Sequence, residues 1–422
     1  MSTNQLSEII TTGGIRSINF FNGRLLTAED LTQEQAARAE TEARLGKTVG
    51  AGVAWGLEVS QSAANATAPV VTVQPGVALN QRGQALCLSS KADISLVRPA
   101  GANAPVSGAV FSDCQPPQPG VYLVDEGVYL LVMAPGASTE GRAPVNGLGT
   151  CSDGCNAAYV VDGVQFRLVP LEPAADLTQT AHLRNRVAYE CFGYPDDTGE
   201  LIADPFSGSW TRTGLLDTML ANQVGVSPCD VPLAVLFWTL PGIQYIDMWS
   251  VRRGLTKPDA TVGWPLLFGA RRVSEAQAMI QQFQEQIEDA YTSEADLSTV
   301  KASDRFDYLP PAGLLPVQMA GSPKGFSAAT FFGNEAPLSI ATMDGAALRS
   351  LFAEALSHEP IIVGSGAKIQ LYVPFENLAA VQAGTSTQCT LVFASQYLTR
   401  RETARFNLAS FASSRFASNI VR

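Results

Sequence analysis

The apolar positions along the chain change period several times, and each change marks an element. Ile15, Ile18, Phe20 and Phe21 lead into the turn Asn22-Gly23. Thr27 then precedes Ala28, Glu29 and Asp30, a capping hydroxyl followed by acids in a first helical turn. The spacing predicts a helix from 27 to about 47 with a thin apolar stripe: Leu31, Ala36, Ala39, Ala43 and Leu45. Such a helix buries little by itself and calls for a neighbouring strand or subunit. A glycine-punctuated strand follows at 50–59. Short apolar runs at 70–73, 77–79 and 85–88, separated by Pro75-Gly76 and a turn at 80–83, predict a β-meander.

From 100 to 270 the pattern stays β-like. Runs at 121–124, 128–133, 164–169 and 231–238 are rich in β-branched, aromatic and leucine residues and predict strands. Long loops are expected at 134–158 and 192–214, and helices at 178–188 and 213–223. The clearest helix is 274–293, where Ser274 and Gln277 form a capping-box pattern. Along it Ala276, Ile280, Phe283, Ile287 and Ala290 recur every three or four residues as a narrow stripe. That stripe has two readings: packing against its own domain, or an inter-subunit seam through Ile280, Phe283 and Ile287. Residues 306–316 are too proline-rich for a helix or a central strand. Beyond them a helix at 344–356 and strands at 361–363, 368–373 and 390–394 predict an α+β or β-sandwich module.

The expectation is a mixed α+β, β-rich protein with a long helix between its middle and last modules. Its segments are an amino-terminal docking segment with a helix and hairpins (1–99), a β-rich domain (100–270), a helix and linker (271–300) and a carboxy-terminal module (301–422). Composition agrees. The 422 residues are 46% hydrophobic and only 16% charged, with 36 Gly and 25 Pro, which excludes a disordered chain and supplies many turns. A net charge of −11 without any run of Lys and Arg argues against nucleic acid as a partner. No stretch approaches the roughly 18–20 apolar residues of a membrane span, and the start at Met1 lacks the basic and apolar regions of a secretory signal.

Candidate chemistry is sparse. The only histidines are His182, in a polar stretch, and His358, at a predicted helix end, so general-base catalysis has few candidates. No nucleophile elbow, zinc-protease, phosphate-loop or dinucleotide-binding pattern is present. Of seven cysteines, Cys151 and Cys155 have a spacing that zinc tolerates, and Cys191 or Cys229, with His182, could complete the set. Reduced thiols or a local disulfide explain the same pair, so no metal or cofactor is expected and the chain reads as no enzyme.

Several segments together resemble a family of structural proteins encoded with extracellular contractile injection systems and some phage tails. They are residues 19–31 (NFFNGRLLTAEDL), 52–59 (GVAWGLEV), 73–79 (VQPGVAL), 231–236, 245–253 (YIDMWSVRR), 306–317, 331–333 and 391–394. Between 34 and 50 the helix carries Ala, Glu and Thr where relatives tend towards His, Asn and bulkier residues. The resemblance implies an oligomeric particle component, in a baseplate, fibre, cap or cage, attached to other particle proteins. It further implies a trimer or hexamer, made and assembled in the cytoplasm and released by lysis as part of the particle. Phe20, Phe21, Leu25, Leu31 and Trp55 are the expected docking or core residues. A receptor- or glycan-binding module, using the loops at 134–158 and 192–214, is the alternative.

Overall fold

The computed structural model describes residues 11–62, 69–97, 123, 125–144, 155–193, 214–257, 270–318, 324–333, 337–386, 388–395 and 398. Among them are seven α-helices and sixteen strands, a mixed α+β and β-rich fold with a long helix between modules. None of these helices is long and apolar enough to cross a membrane.

Helix α1 (Ala28–Val49) starts where the cap predicts, with Thr27 and Asp30 closing a reciprocal capping box. Six short strands follow: β1 (Gly52–Gly56), β2 (Val59–Gln61), β3 (Val70–Val73), β4 (Gly76–Leu79), β5 (Ala85–Leu88) and β6 (Ala92–Ser95). They form two antiparallel sheets, β1-β4-β5 and β2-β3-β6. The α1 backbone lies directly on the turn between β4 and β5. A Cβ on Gly46 would sit 2.0 Å from the carbonyl oxygen of Gly83, and Gly83 itself has φ +82°. Both positions therefore require glycine, one for close approach and one for a left-handed turn as well.

The middle sheet is built from β7 (Gly127–Pro144), β8 (Cys155–Leu171), β9 (Val231–Thr239) and β10 (Gly242–Asp247), all antiparallel in the order β10-β9-β7-β8. The expected loop at 134–158 is instead largely strand. β7 and β8 stay in register from Val128↔Leu171 out to Pro144↔Cys155, although β9 accompanies β7 only as far as Met133↔Val231. Pro135, Gly136, Gly141 and Pro144 read as loop residues in sequence, yet a ribbon whose outer edge needs no partner tolerates them. Of the predicted strand at 121–124 only Leu123 is described, and most of the loop expected at 192–214, residues 194–213, lies outside the described residues.

Alternation along β7 sends Tyr129, Leu131 and Met133 to one face and Val128, Leu130 and Val132 to the other. The first face shares a core with Val53, Leu57, Val71, Val73 and Leu86, so apolar packing crosses the boundary expected at 99/100. The second face is covered by α2 (Thr180–Phe192) and α3 (Leu215–Ala221), through Leu183, Val187 and Met219. These two helices lie close to the predicted 178–188 and 213–223, with α2 running one turn further.

Helix α4 (Ala270–Ser293) begins before Ser274, so that residue is not its cap. An additional first turn is tied down by Arg271, which reaches Asp217 Oδ2 at 2.6 Å and Glu275 Oε1 at 2.7 Å. The apolar stripe of α4 is spent inside its own chain. Phe283, Ile287 and Ala290 join Phe306, Leu315, Phe331 and Phe393 in the carboxy-terminal core, and Ile280 is partly buried. Of the seam expected through Ile280, Phe283 and Ile287, Phe283 and Ile287 pack inside this chain, while Ile280 keeps part of its surface exposed.

The carboxy-terminal part contains β11 (Tyr308–Leu309), β12 (Ala312–Val317), α5 (Ala328–Phe332), β13 (Pro337–Met343), α6 (Gly345–Ala355), β14 (Ile361–Ile362), β15 (Ile369–Pro374), α7 (Phe375–Gln382) and β16 (Cys389–Ser395). Its main sheet runs β12-β16-β15-β13, with β13 and β15 parallel and the other pairs antiparallel. Pro316 lies in β12, an edge strand, where its missing N–H costs no ladder bond.

Candidate functional site

The segment before α1 is tied to that helix by polar contacts. Arg44 donates to the carbonyl oxygen of Gly13 at 2.7 Å, and the Ile18 N–H donates to Glu34 Oε2 at 3.1 Å. Arg24 donates to the carbonyl oxygen of Asn19 at 2.8 Å and pairs with Asp30 at 2.6 Å. The N–H of Thr27 and the Arg24 guanidinium hold the Asp30 carboxyl below its ordinary pKa.

Ile15 and Ile18 are half-buried, but most of the larger apolar side chains that follow face solvent. Phe20 is 52% exposed, Phe21 64%, Leu25 87%, Leu31 52% and Trp55, on β1, 58%. Leu26, Leu45 and Val49 are also exposed, and α1 buries only Ala37. Of the two roles expected for Phe20, Phe21, Leu25, Leu31 and Trp55, none of them occupies the core. Scattered exposed leucines need no explanation, but a short run of chain displaying two Phe and three Leu does.

Behind this surface a network clips the modules together. Asp247, at the end of β10, is fully buried and accepts from Arg184 Nε at 3.2 Å and the N–H groups of Trp249 and Ser250 at 2.9 and 3.2 Å. Gln282 of α4 also donates to it, and its Oε1 accepts from the Tyr308 hydroxyl at 2.7 Å. Arg252 donates to the carbonyl oxygen of Leu57 at 2.9 Å and also to that of Gly56, holding the amino-terminal hairpins. Arg253 donates to the Trp249 carbonyl oxygen at 2.6 Å and lies 4.5 Å from the centre of the Phe192 ring. This hub carries much of the 245–253 segment, and sequence reasoning missed Asp247. The available signal was a lone carboxylate inside an apolar run, which must find donors if it is buried.

Among the described residues the cysteines are not brought together as a metal site. Cys191 is a buried free thiol whose burial pushes its pKa up to about 12. Cys229 is disulfide-bonded, which removes it from any ligand set. Cys151 and the side chain of Cys155 lie outside the described residues. Among the described residues no group of three or more His, Cys, Asp or Glu is placed to hold a metal ion. His182 lies 3.3 Å from Asp307 Oδ1. His358 follows α6, and burial lowers its pKa.

A cavity of about 470 Å³ lies where the end of α1, the β4–β5 turn, α3 and the start of α4 meet. Its charges are largely matched: Arg271 is held by Asp217 and Glu275, and Asp230 by Arg167 at 2.6 Å. Comparison adds no relative: no family model matches the chain, and a search of curated proteins finds none significantly similar.

Proposed function

We propose that the protein is a non-catalytic structural subunit of a contractile injection system or phage-tail-like particle, attached to other particle proteins through its amino-terminal segment. It is made and assembled in the cytoplasm, forms a homo-oligomer, and leaves the cell only within the particle. The family resemblance supplies the kind of particle. The observation that carries the reading is the exposed apolar run Phe20, Phe21, Leu25 and Leu31, fixed on a capped helix by polar contacts. Such a surface is costly in water and becomes favourable when covered, at about 25 cal/mol per Å² of apolar area removed from solvent. A segment held open in this way is prepared for a partner.

The test is a double variant, Phe21→Asp with Leu25→Asp, expressed in the producing cell in place of the natural chain. Both side chains are exposed, so the fold is expected to survive. The reading expects the variant to be soluble and folded yet missing from purified particles. Normal incorporation of the variant would remove this segment as the attachment point.

A further inference from the structure

Beyond Met133 the β7–β8 hairpin leaves its sheet and continues as a two-stranded arm, residues 134–144 against 155–165. At ~3.4 Å per residue the arm is about 35 Å long. Neither face of its outer half is covered: Tyr159 is 69% exposed, and Val160 and Val161, on opposite faces, are both well exposed. A two-stranded ribbon in water is marginal at best, and its unpaired edges invite a further strand.

The two edges differ. β7 carries Pro135 and Pro144, nine residues apart in one continuous register, so one of the two missing N–H donors falls on its outer edge and blunts it. The outer edge of β8 has no proline between Cys155 and Val169, and β8 is the terminal strand of its sheet. We propose that the β8 edge pairs antiparallel with the β8 edge of a second copy of this chain, about a two-fold axis through Val160. This deepens the assembly reading above and rests on it.

The sequence of β8 selects both the occupant and the register. With the axis at Val160, Val160 faces its own copy, Tyr159 faces Val161 twice, and Asp162 faces Ala158. The three large exposed apolar residues, Tyr159, Val160 and Val161, then meet one another, in aromatic and β-branched pairs that favour sheets. Moving the axis to Val161 sets Asp162 against Val160, and moving it to Asp162 opposes two carboxylates. Moving it to Tyr159 leaves Asp162 against Asn156 and Val161 against Ala157. Pairing over 155–165 forms about ten backbone hydrogen bonds, the number found in an ordinary protein interface. An isologous contact of this kind makes dimers, so it fits a hexamer built as three dimers and not a bare trimer.

The experiment uses the purified full-length chain in two variants. Val160→Cys is analysed on non-reducing gels beside the natural chain, and Val160→Lys by size-exclusion chromatography with light scattering. The expected results are a covalent dimer in Val160→Cys that the natural chain does not form, and at least a halving of the oligomer mass in Val160→Lys. A Thr139→Cys variant on the β7 side is expected to give no dimer. The proposal is overturned if Val160→Cys stays monomeric on the gel, or if Val160→Lys keeps the mass of the natural chain. Because these readouts use no particle, they separate failure of the arm from failure of the docking segment, which is read in cells.

Discussion

Asp247 offers the most demanding test of how the modules are joined. Its carboxylate is completely buried and takes hydrogen bonds from two backbone N–H groups, from Arg184 and from Gln282. Asp247→Ala strands the Trp249 and Ser250 N–H groups, and a buried donor without an acceptor costs about 1–3 kcal/mol. Arg184 keeps Glu285 at 3.1 Å and Asp289 at 2.8 Å. Its charge therefore stays compensated, and that part falls short of the ~3–5 kcal/mol of breaking a buried pair outright. Some of the loss is returned because one carboxylate no longer has to be desolvated. The net expectation is a destabilisation of about 3 kcal/mol, roughly a hundredfold or more in the folding equilibrium. Asp247→Asn keeps an acceptor for the backbone and is expected to lose less. Urea denaturation followed by tryptophan fluorescence reads both, since Trp249 is itself in the network. A loss below about 1 kcal/mol for Asp247→Ala, no larger than an ordinary substitution, would refute the hub.

Further expectations follow from the same contacts. Gly46→Ala should destabilise by about 2 kcal/mol although alanine is the better helix former by ~1 kcal/mol, because its Cβ meets the Gly83 carbonyl oxygen; a chemical denaturation midpoint above the natural chain's would contradict this. In the native protein Cys87 should react with a maleimide while Cys191 and Cys389 stay protected, since Cys87 is exposed and the other two are buried; peptide mapping reads the pattern. Glu285 has its pKa raised by burial from 4.5, so the unfolded chain ionises first as pH rises. Its contribution to stability is therefore largest in acid and declines from about pH 4.5 upwards, and Glu285→Gln should remove that decline in a pH series of unfolding free energies.

What was legible in the sequence was whatever rests on local spacing. The cap at Thr27, the three-and-four stripe of α4 and the apolar run of β9 each fix an element without help from elsewhere. Elements decided by tertiary contact were not legible. α4 gains its first turn from Asp217, far away in sequence, and the stripe on α4 gives no sign of whether its partner is internal. β7 and β8 continue through proline and glycine because each has the other as a ladder, which local propensity cannot register. The strand β13 and the short helices α5 and α7 pass unnoticed because few turns contribute too little pattern. Of the candidate site, the apolar side chains of 20–31 were identifiable by type, but their exposure depends on Arg24, Glu34 and Arg44 tying the segment to α1. The buried position of Asp247 depends on donors from α2 and α4.

Whether the chain is a particle component at all is tested most directly by cosedimentation. The tagged protein is expressed in the cell that makes it, and the sheathed tubes are pelleted and imaged by cryo-electron microscopy. The reading predicts that the protein pellets with the tubes and appears as density at symmetric positions, with the 20–31 segment against a neighbour. A protein that stays in the supernatant while intact particles pellet would contradict it, and glycan binding would then be the function to test.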